Sequence, residues 1–109
     1  MSVIVDNACY EMNDGVLYLN IFENNSIYPS VIYPNKTKEW HLFSQSGNPL
    51  MSMLNRSNDL PAIEYSNGDK EWWYYGTRHR VTGPAVIYGN KHYWFKDGNF
   101  IKMEINNGL

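Results

Sequence analysis

The side chains that most often carry catalysis or bind metals are few in this sequence and widely separated. Its three histidines, His41, His79 and His92, stand far apart, and none belongs to an HExxH pattern. Cys9 has no second cysteine with which to build a zinc site, and no basic residue follows it closely to activate the thiol. We therefore predict no catalytic residue, no metal site and no cofactor, and expect that the protein is not an enzyme.

The one basic cluster is Arg78-His79-Arg80, for which two interpretations stay open. The cluster could hold an acidic partner or a phosphate, because the arginine guanidinium makes two-pronged contacts with such anions. Alternatively, His79 packs between neighbouring units of the fold while both arginines face solvent. A strand would send Arg78 and Arg80 to one side and His79 to the other.

Aromatic content is the unusual feature of the composition. The 109 residues include nine Tyr, four Trp and four Phe, and 43% of the chain is hydrophobic. Aromatic and β-branched residues together with many Asn, Gly and Pro are typical of strands and turns rather than helical bundles. The length suits one domain, residues 1–109, and a net charge of −2 argues against a protein that coats nucleic acid.

The remaining composition points to the cytoplasm. A single cysteine excludes an internal disulfide, and the first residues lack the basic start and apolar run of a signal peptide. No segment approaches the roughly 20 apolar residues that a membrane-spanning helix needs. We expect a cytoplasmic protein without a membrane span.

Three segments of the sequence repeat one another. Residues 29–35, 61–67 and 84–90 each run from a proline through an aliphatic pair to a tyrosine and an Asn-containing turn. Lys38-Glu39-Trp40 and Lys70-Glu71-Trp72 then continue the first two units in step. The third unit continues over 91–95 after losing two residues in its turn. The recurring Glu39 and Glu71 are interpreted as a solvated face or as cross-strand partners of lysine.

Each unit is predicted to form a β-hairpin. Asn67-Gly68 and Asp97-Gly98 are strong turn signals, and Asp14-Gly15 predicts a hairpin between a strand over 16–22 and residues near 3–10. We expect an all-β domain of eight or nine strands in successive antiparallel hairpins. It comprises N-terminal strands over 1–27, three hairpin repeats over 28–98 and a C-terminal strand over 99–109.

A short helix is predicted near residues 49–56, inside an insertion at about 48–57. Asn48 could cap it and Pro49 suits its first turn, while Leu50, Met53 and Leu54 share one helical face.

Residues 73–85, Trp-Tyr-Tyr-Gly-Thr-Arg-His-Arg-Val-Thr-Gly-Pro-Ala, resemble the divergent MORN-like repeats. The resemblance covers about 28–98 and implies stacked hairpins in an extended, curved, single-layer sheet. It also implies a scaffolding or binding role, and such repeats are frequent in small accessory proteins of bacteriophages and large viruses.

We therefore expect a non-catalytic protein-interaction module, of the kind that a phage uses to inhibit or redirect a host or defence protein. A nucleic-acid-binding protein that uses stacked aromatics with Arg and Lys is the first alternative, and a small nuclease that depends on His79 or His92 is the second. Unpaired edge strands would also favour a homo-oligomer. The residues predicted to bind the partner are Trp72, Trp73, Tyr74, Tyr75, Arg78, His79, Arg80, Tyr93 and Trp94.

Overall fold

A computed structural model describes residues 1–20, 25–42 and 52–107, and these ranges contain fourteen β-strands. The strands are β1 Ser2–Val5, β2 Ala8–Asn13, β3 Val16–Leu19, β4 Val31–Ile32, β5 Lys38–Glu39, β6 His41–Leu42, β7 Met53–Leu54, β8 Ile63–Glu64, β9 Lys70–Glu71, β10 Trp73–Tyr74, β11 Thr77–Arg78, β12 Val86–Tyr88, β13 Lys91–Lys96 and β14 Asn99–Ile105. Within these ranges there is no helix with the length and apolar character needed to cross a membrane.

Ten of the described strands form one open sheet in the order β1-β2-β3-β4-β5-β8-β9-β12-β13-β14. Every neighbouring pair is antiparallel, so the chain runs back and forth across the sheet from one edge to the other. Two short ribbons, β6-β7 and β10-β11, branch from this sheet as the chain passes through it. The predicted all-β architecture of antiparallel strands is confirmed.

The first two repeat units fold with the same turn. In each, the asparagine Oδ1 accepts a hydrogen bond from the N–H two residues later, Asn35 from Thr37 at 2.9 Å and Asn67 from Asp69 at 3.0 Å. Gly68 takes the left-handed conformation, with φ at +96°. The polar turn chemistry in the sequence therefore closes each hairpin locally.

Three small residues, Ser30, Ala62 and Ala85, join one hairpin to the next. Each N–H donates at 2.8 Å to a carbonyl of its own hairpin, that of Glu39, Glu71 or Tyr93 respectively. Each C=O accepts at 2.7–2.9 Å from the preceding hairpin, from the N–H of Leu19, Trp40 or Trp72. All three are buried, and Ala62 and Ala85 have no exposed surface, so a larger side chain would meet its neighbours there.

The core is thin and lies along the sheet. At the N-terminal end, Tyr10 packs with Ala8, Leu19 and Ile32. The other buried apolar side chains are contributed by the repeat units, namely Trp40, Ala62, Ile63, Trp72, Ala85 and Val86.

The short helix predicted near 49–56 is wrong for the part that the structure describes. Met53 and Leu54 form strand β7, which pairs antiparallel with His41 and Leu42. Residues 49–51 of that prediction lie outside the described residues. Backbone pairing with a distant strand supplies hydrogen bonds that one isolated helical turn could not match.

Three further expectations differ from the structure. The sheet and ribbons contain more strands than the eight or nine expected, because several strands are only two residues long. The predicted N-terminal strand over 3–10 is divided by a turn at Asp6-Asn7 into β1 and β2, and residues 21–22 of the next strand lie outside the described residues. In the second unit Ile63 pairs with Glu71, and in the third unit Val86 pairs with Tyr93. The turn of the third unit is therefore shorter than that of the second by one residue, and not by two as the sequence predicts. Tyr93 is therefore the counterpart of Glu71.

Candidate functional site

The most exposed of the predicted partner-binding residues lie at the tip of the β10-β11 ribbon, which we call the tyrosine arm (residues 73–78). Trp73 pairs with Arg78 and Tyr74 with Thr77, leaving Tyr75 and Gly76 as a two-residue turn. Tyr74 is 48% exposed and Tyr75 56% exposed, and their rings meet edge to face with centroids 4.5 Å apart.

Tyr75 occupies a backbone conformation that a large side chain rarely adopts. Its φ is +50° and that of Gly76 is +79°. The other described two-residue hairpin turns with positive φ at both residues place an aspartate at the first position, Asp6 with φ +50°, Asp14 with φ +53° and Asp97 with φ +51°. Asp and Asn tolerate the left-handed region, whereas a tyrosine there is a genuine outlier. The arm thus displays an aromatic ring at a position where a smaller polar residue would suit the backbone better.

The neighbouring ribbon holds the tyrosine arm in place. Tyr75 N–H donates to Asn55 Oδ1 at 2.9 Å, and Gly76 N–H donates to the Leu54 carbonyl at 2.9 Å. A Cβ on Gly76 would lie 3.3 Å from Met53 Cβ, so the turn rests closely on β7. These contacts fix the turn from outside and leave the two rings exposed.

The base of the tyrosine arm is anchored on the buried carboxylate of Glu71. Its Oε2 accepts hydrogen bonds from Tyr65 OH at 2.5 Å and Tyr88 OH at 2.6 Å, and its Oε1 accepts from Trp73 Nε1 at 2.9 Å and Arg78 Nε at 3.2 Å. Burial alone would raise the pKa of Glu71, but these four donors outweigh it and lower the pKa below its usual value. The interpretation of Glu71 as part of a solvated face is wrong, since the side chain is 2% exposed.

The same carboxylate perturbs the tyrosines that bind it. The pKa values of Tyr65 and Tyr88 are raised, mainly by burial and next by the hydrogen bond to Glu71. The hydrogen bond raises them because ionising either phenol would place a second negative charge beside the carboxylate. A simpler carboxylate contact recurs in the preceding repeat unit, where Glu39 Oε1 lies 2.9 Å from His41 Nε2. The Glu71 carboxylate accepts four hydrogen bonds, so it is arranged to stabilise the fold and not for acid–base catalysis.

Arg80 and Trp72 form a second anchor beneath the loop that follows β7. The Arg80 guanidinium lies 3.8 Å from the centre of the Trp72 ring, and its Nε is 3.0 Å from Asp59 Oδ1. Trp72 Nε1 donates to the Asp59 carbonyl at 3.0 Å, and the indole is 7% exposed. These bonds to Arg80, with one from Thr82, lower the pKa of Asp59. Trp72 is therefore placed to support the fold and presents little surface to a partner.

The anchor is repeated, and sequence reasoning missed it. Arg56 lies 3.6 Å over the Trp40 ring and donates to the Pro61 carbonyl at 3.1 Å, as Arg80 donates to the Pro84 carbonyl at 3.1 Å. The available signal was an arginine a few residues before each of these two repeat prolines.

The basic cluster is divided among three different partners. Arg78 contacts Glu71, Arg80 contacts Asp59, and His79 Nδ1 accepts the Asp97 N–H at 2.9 Å. The predicted residues Tyr93 and Trp94 are half-buried in β13, with the Lys102 ammonium 4.5 Å from the Trp94 ring. The structure thus brings Tyr74, Tyr75 and His79 together at the arm, while Glu71 holds Arg78 at its base and Arg80 lies over Trp72.

A groove of about 440 Å³ lies beside the tyrosine arm and is lined by Tyr74 and Tyr75. His41, Leu42 and Asn58 also line it. In the part of the chain that the structure describes, no three His, Cys, Asp or Glu side chains are grouped so that they could hold a metal ion.

Comparison with known proteins gives no relative on which to rest an assignment: no family model, no curated protein and no solved structure matches the chain.

Proposed function

We propose that this protein is a non-catalytic protein-binding module and that the tyrosine arm is its contact surface. The observation that carries the proposal is Tyr75, an exposed ring held in the left-handed backbone region where the turns that begin at residues 6, 14 and 97 have Asp. An outlying backbone conformation at an exposed side chain supports a hypothesis of function, because such strain persists only where the surrounding structure holds it.

The chemistry of the surface fits a protein partner. Tyrosine offers a large, rigid contact area together with a polar hydroxyl, and it is enriched among the residues that dominate binding energy. Tyr74 and Tyr75 stand side by side, and the adjoining groove offers a recess for a partner side chain. A partner that covers the arm would bury both rings.

The sequence resemblance to MORN-like repeats supports a narrower version of the proposal. On that basis the protein is a phage-type accessory factor in the host cytoplasm, and its partner is a host or defence protein whose activity it inhibits or redirects. The support for this version is the motif over 73–85, together with the arrangement of successive hairpins.

The contacts of Arg78 and Arg80 weigh against the nucleic-acid-binding alternative. Nucleic-acid binding would use free guanidinium groups, whereas Arg78 and Arg80 each contact a carboxylate. The protein-binding proposal needs neither arginine to be released from its carboxylate.

The experiment that tests the proposal is a tagged capture from cells in which the protein acts, read by mass spectrometry. The variants are Tyr74→Ala and Tyr75→Asn, and the matched control is Tyr18→Asn, which alters a tyrosine that is 46% exposed on β3. We expect the wild type and the Tyr18 variant to retain one shared partner that both arm variants lose. A partner that all four proteins retain equally would contradict the assignment of the arm.

A further inference from the structure

The C-terminal strand β14 is an exposed edge of the ten-stranded sheet. All seven of its residues are exposed, and among the described strands it pairs with β13 alone. Ile101, Met103 and Ile105 are 57%, 44% and 56% exposed. A long apolar edge strand presents unpaired backbone groups to any strand that can align with it.

The backbone of β14 alternates between its partner and the open edge. Asn106 N–H donates to the Asn90 carbonyl at 2.7 Å, which places the N–H groups of residues 102 and 104 on the β13 side. Met103 and Ile105 therefore direct their own N–H and C=O groups outward. A β-bulge opposite Trp94 and Phe95 leaves Ile101 without a pairing partner on β13.

We propose that β14 pairs antiparallel with β14 of a second copy of this chain, about a two-fold axis at Met103. In this register Met103 faces Met103 of the second copy, and their outward N–H and C=O groups exchange two hydrogen bonds. Ile101 lies opposite Ile105, and Lys102 lies opposite Glu104. The contact is the same on both chains, so it closes as a dimer.

The charge pattern of β14 favours a second copy of β14 as the partner strand and favours pairing about Met103. Lys102 and Glu104 stand symmetrically on either side of Met103, and within one chain Lys102 Nζ lies 3.1 Å from Glu104 Oε1. Pairing about Met103 sets each ammonium beside a second carboxylate and builds an alternating cluster of four charges. Centring the axis on Glu104 instead would oppose two carboxylates, which disfavours that register.

The other described edge lacks this symmetry. Strand β1 has four residues, and Val3 and Val5 are half-buried, whereas every residue of β14 is exposed. Joining β1 of one copy to β14 of another would leave free edges and form an open chain of molecules. The proposed dimer does not depend on the tyrosine arm, so either proposal can fail without the other.

The first test measures molecular mass by sedimentation equilibrium, from micromolar to millimolar protein. We expect a monomer–dimer equilibrium for the wild type and a monomer for Met103→Pro. Proline removes the outward N–H of residue 103 and leaves the β13-β14 ladder intact. Far-ultraviolet circular dichroism verifies that the variant is folded.

The second test exchanges charges and does not depend on the proline variant. Lys102→Glu and Glu104→Lys each place like charges opposite one another, and we expect each alone to raise the dissociation constant roughly tenfold. An equal mixture of the two restores opposite charges across the interface, so a mixed dimer should form, as native mass spectrometry can show. A wild type that is monomeric throughout the concentration range would overturn the proposal. A dimer unaffected by Met103→Pro, a ladder of larger species, or no preference for the mixed dimer would equally overturn it.

Discussion

Replacing Tyr75 by Asn is expected to stabilise the protein while weakening its binding to a partner. Tyr75 has a φ of +50°, and the described turns of the same geometry have Asp at this position. Asparagine adopts the left-handed region more readily because its short side chain forms local hydrogen bonds with the backbone. The substitution leaves the bond from the N–H of residue 75 to Asn55 Oδ1 unchanged, because only the backbone takes part.

The expected magnitude is the difference between two terms. Relief of the left-handed strain contributes about 1 kcal/mol. Loss of the edge-to-face contact between Tyr74 and Tyr75, whose centroids are 4.5 Å apart, costs about 0.5 kcal/mol. The free energy of unfolding should therefore rise by about 0.5 kcal/mol, which corresponds to an increase of about 2–4 °C in Tm for a domain of this size.

Thermal and urea unfolding of matched variants measure this difference. Tyr74→Thr is the control, since it removes the same ring contact from a strand position without relieving any turn strain. We expect Tyr74→Thr to lower the free energy of unfolding by about 0.5 kcal/mol and Tyr75→Asn to raise it. If Tyr75→Asn destabilises the protein as much as Tyr74→Thr does, the turn is not strained and the structural argument for the arm fails.

Three further predictions concern the fold. Glu71→Gln should lower the free energy of unfolding by about 2 kcal/mol or more in urea titrations, since it weakens four hydrogen bonds to a buried charge. The folded-state pKa of Glu71 lies below its usual value of 4.5, so the ionised carboxylate stabilises the fold above that pH. This stabilisation is lost as pH falls through the lowered pKa. The free energy of unfolding of the Gln variant should therefore depend less steeply on pH in acid. Burial raises the pKa of Tyr10 from 10.0 to about 12, so the unfolded chain ionises first as pH rises. The free energy of unfolding should therefore fall from pH 10 to 12. Alkaline titrations followed by circular dichroism should show a smaller decline for Tyr10→Phe. Ala62→Val should cost about 1–3 kcal/mol by thermal unfolding, because the site has no exposed surface.

The hairpins could be predicted because their signals are local. Asp14-Gly15, Asn67-Gly68 and Asp97-Gly98 encode turns by the backbone freedom and polar side chains of two neighbouring residues. The apolar spacing near Met53 predicts one helical turn, but that spacing carries no information about pairing with His41 and Leu42. Pairing with a strand distant in sequence determines the secondary structure of such short segments.

The candidate site was predictable in part. Tyr74 and Tyr75 were among the predicted binding residues, but their exposure depends on a ribbon whose support comes from Asn55, twenty residues away. The burial of Glu71 depends on Tyr88 in the following hairpin, a contact that becomes visible only when neighbouring units are stacked. Local patterns therefore predicted Tyr74 and Tyr75 within a larger set of candidate residues, while the ribbon over 73–78 and the stacking of hairpins determine which of that set face solvent.

The most direct test of the protein-binding proposal is site-specific photocrosslinking in cells where the protein acts. A photoreactive phenylalanine analogue at position 75 is compared with the same analogue at position 18, which is also exposed but lies on β3. We predict one discrete crosslinked protein at position 75 and none at position 18. Crosslinks of equal yield and identity at both positions, or none at position 75, would contradict the proposal.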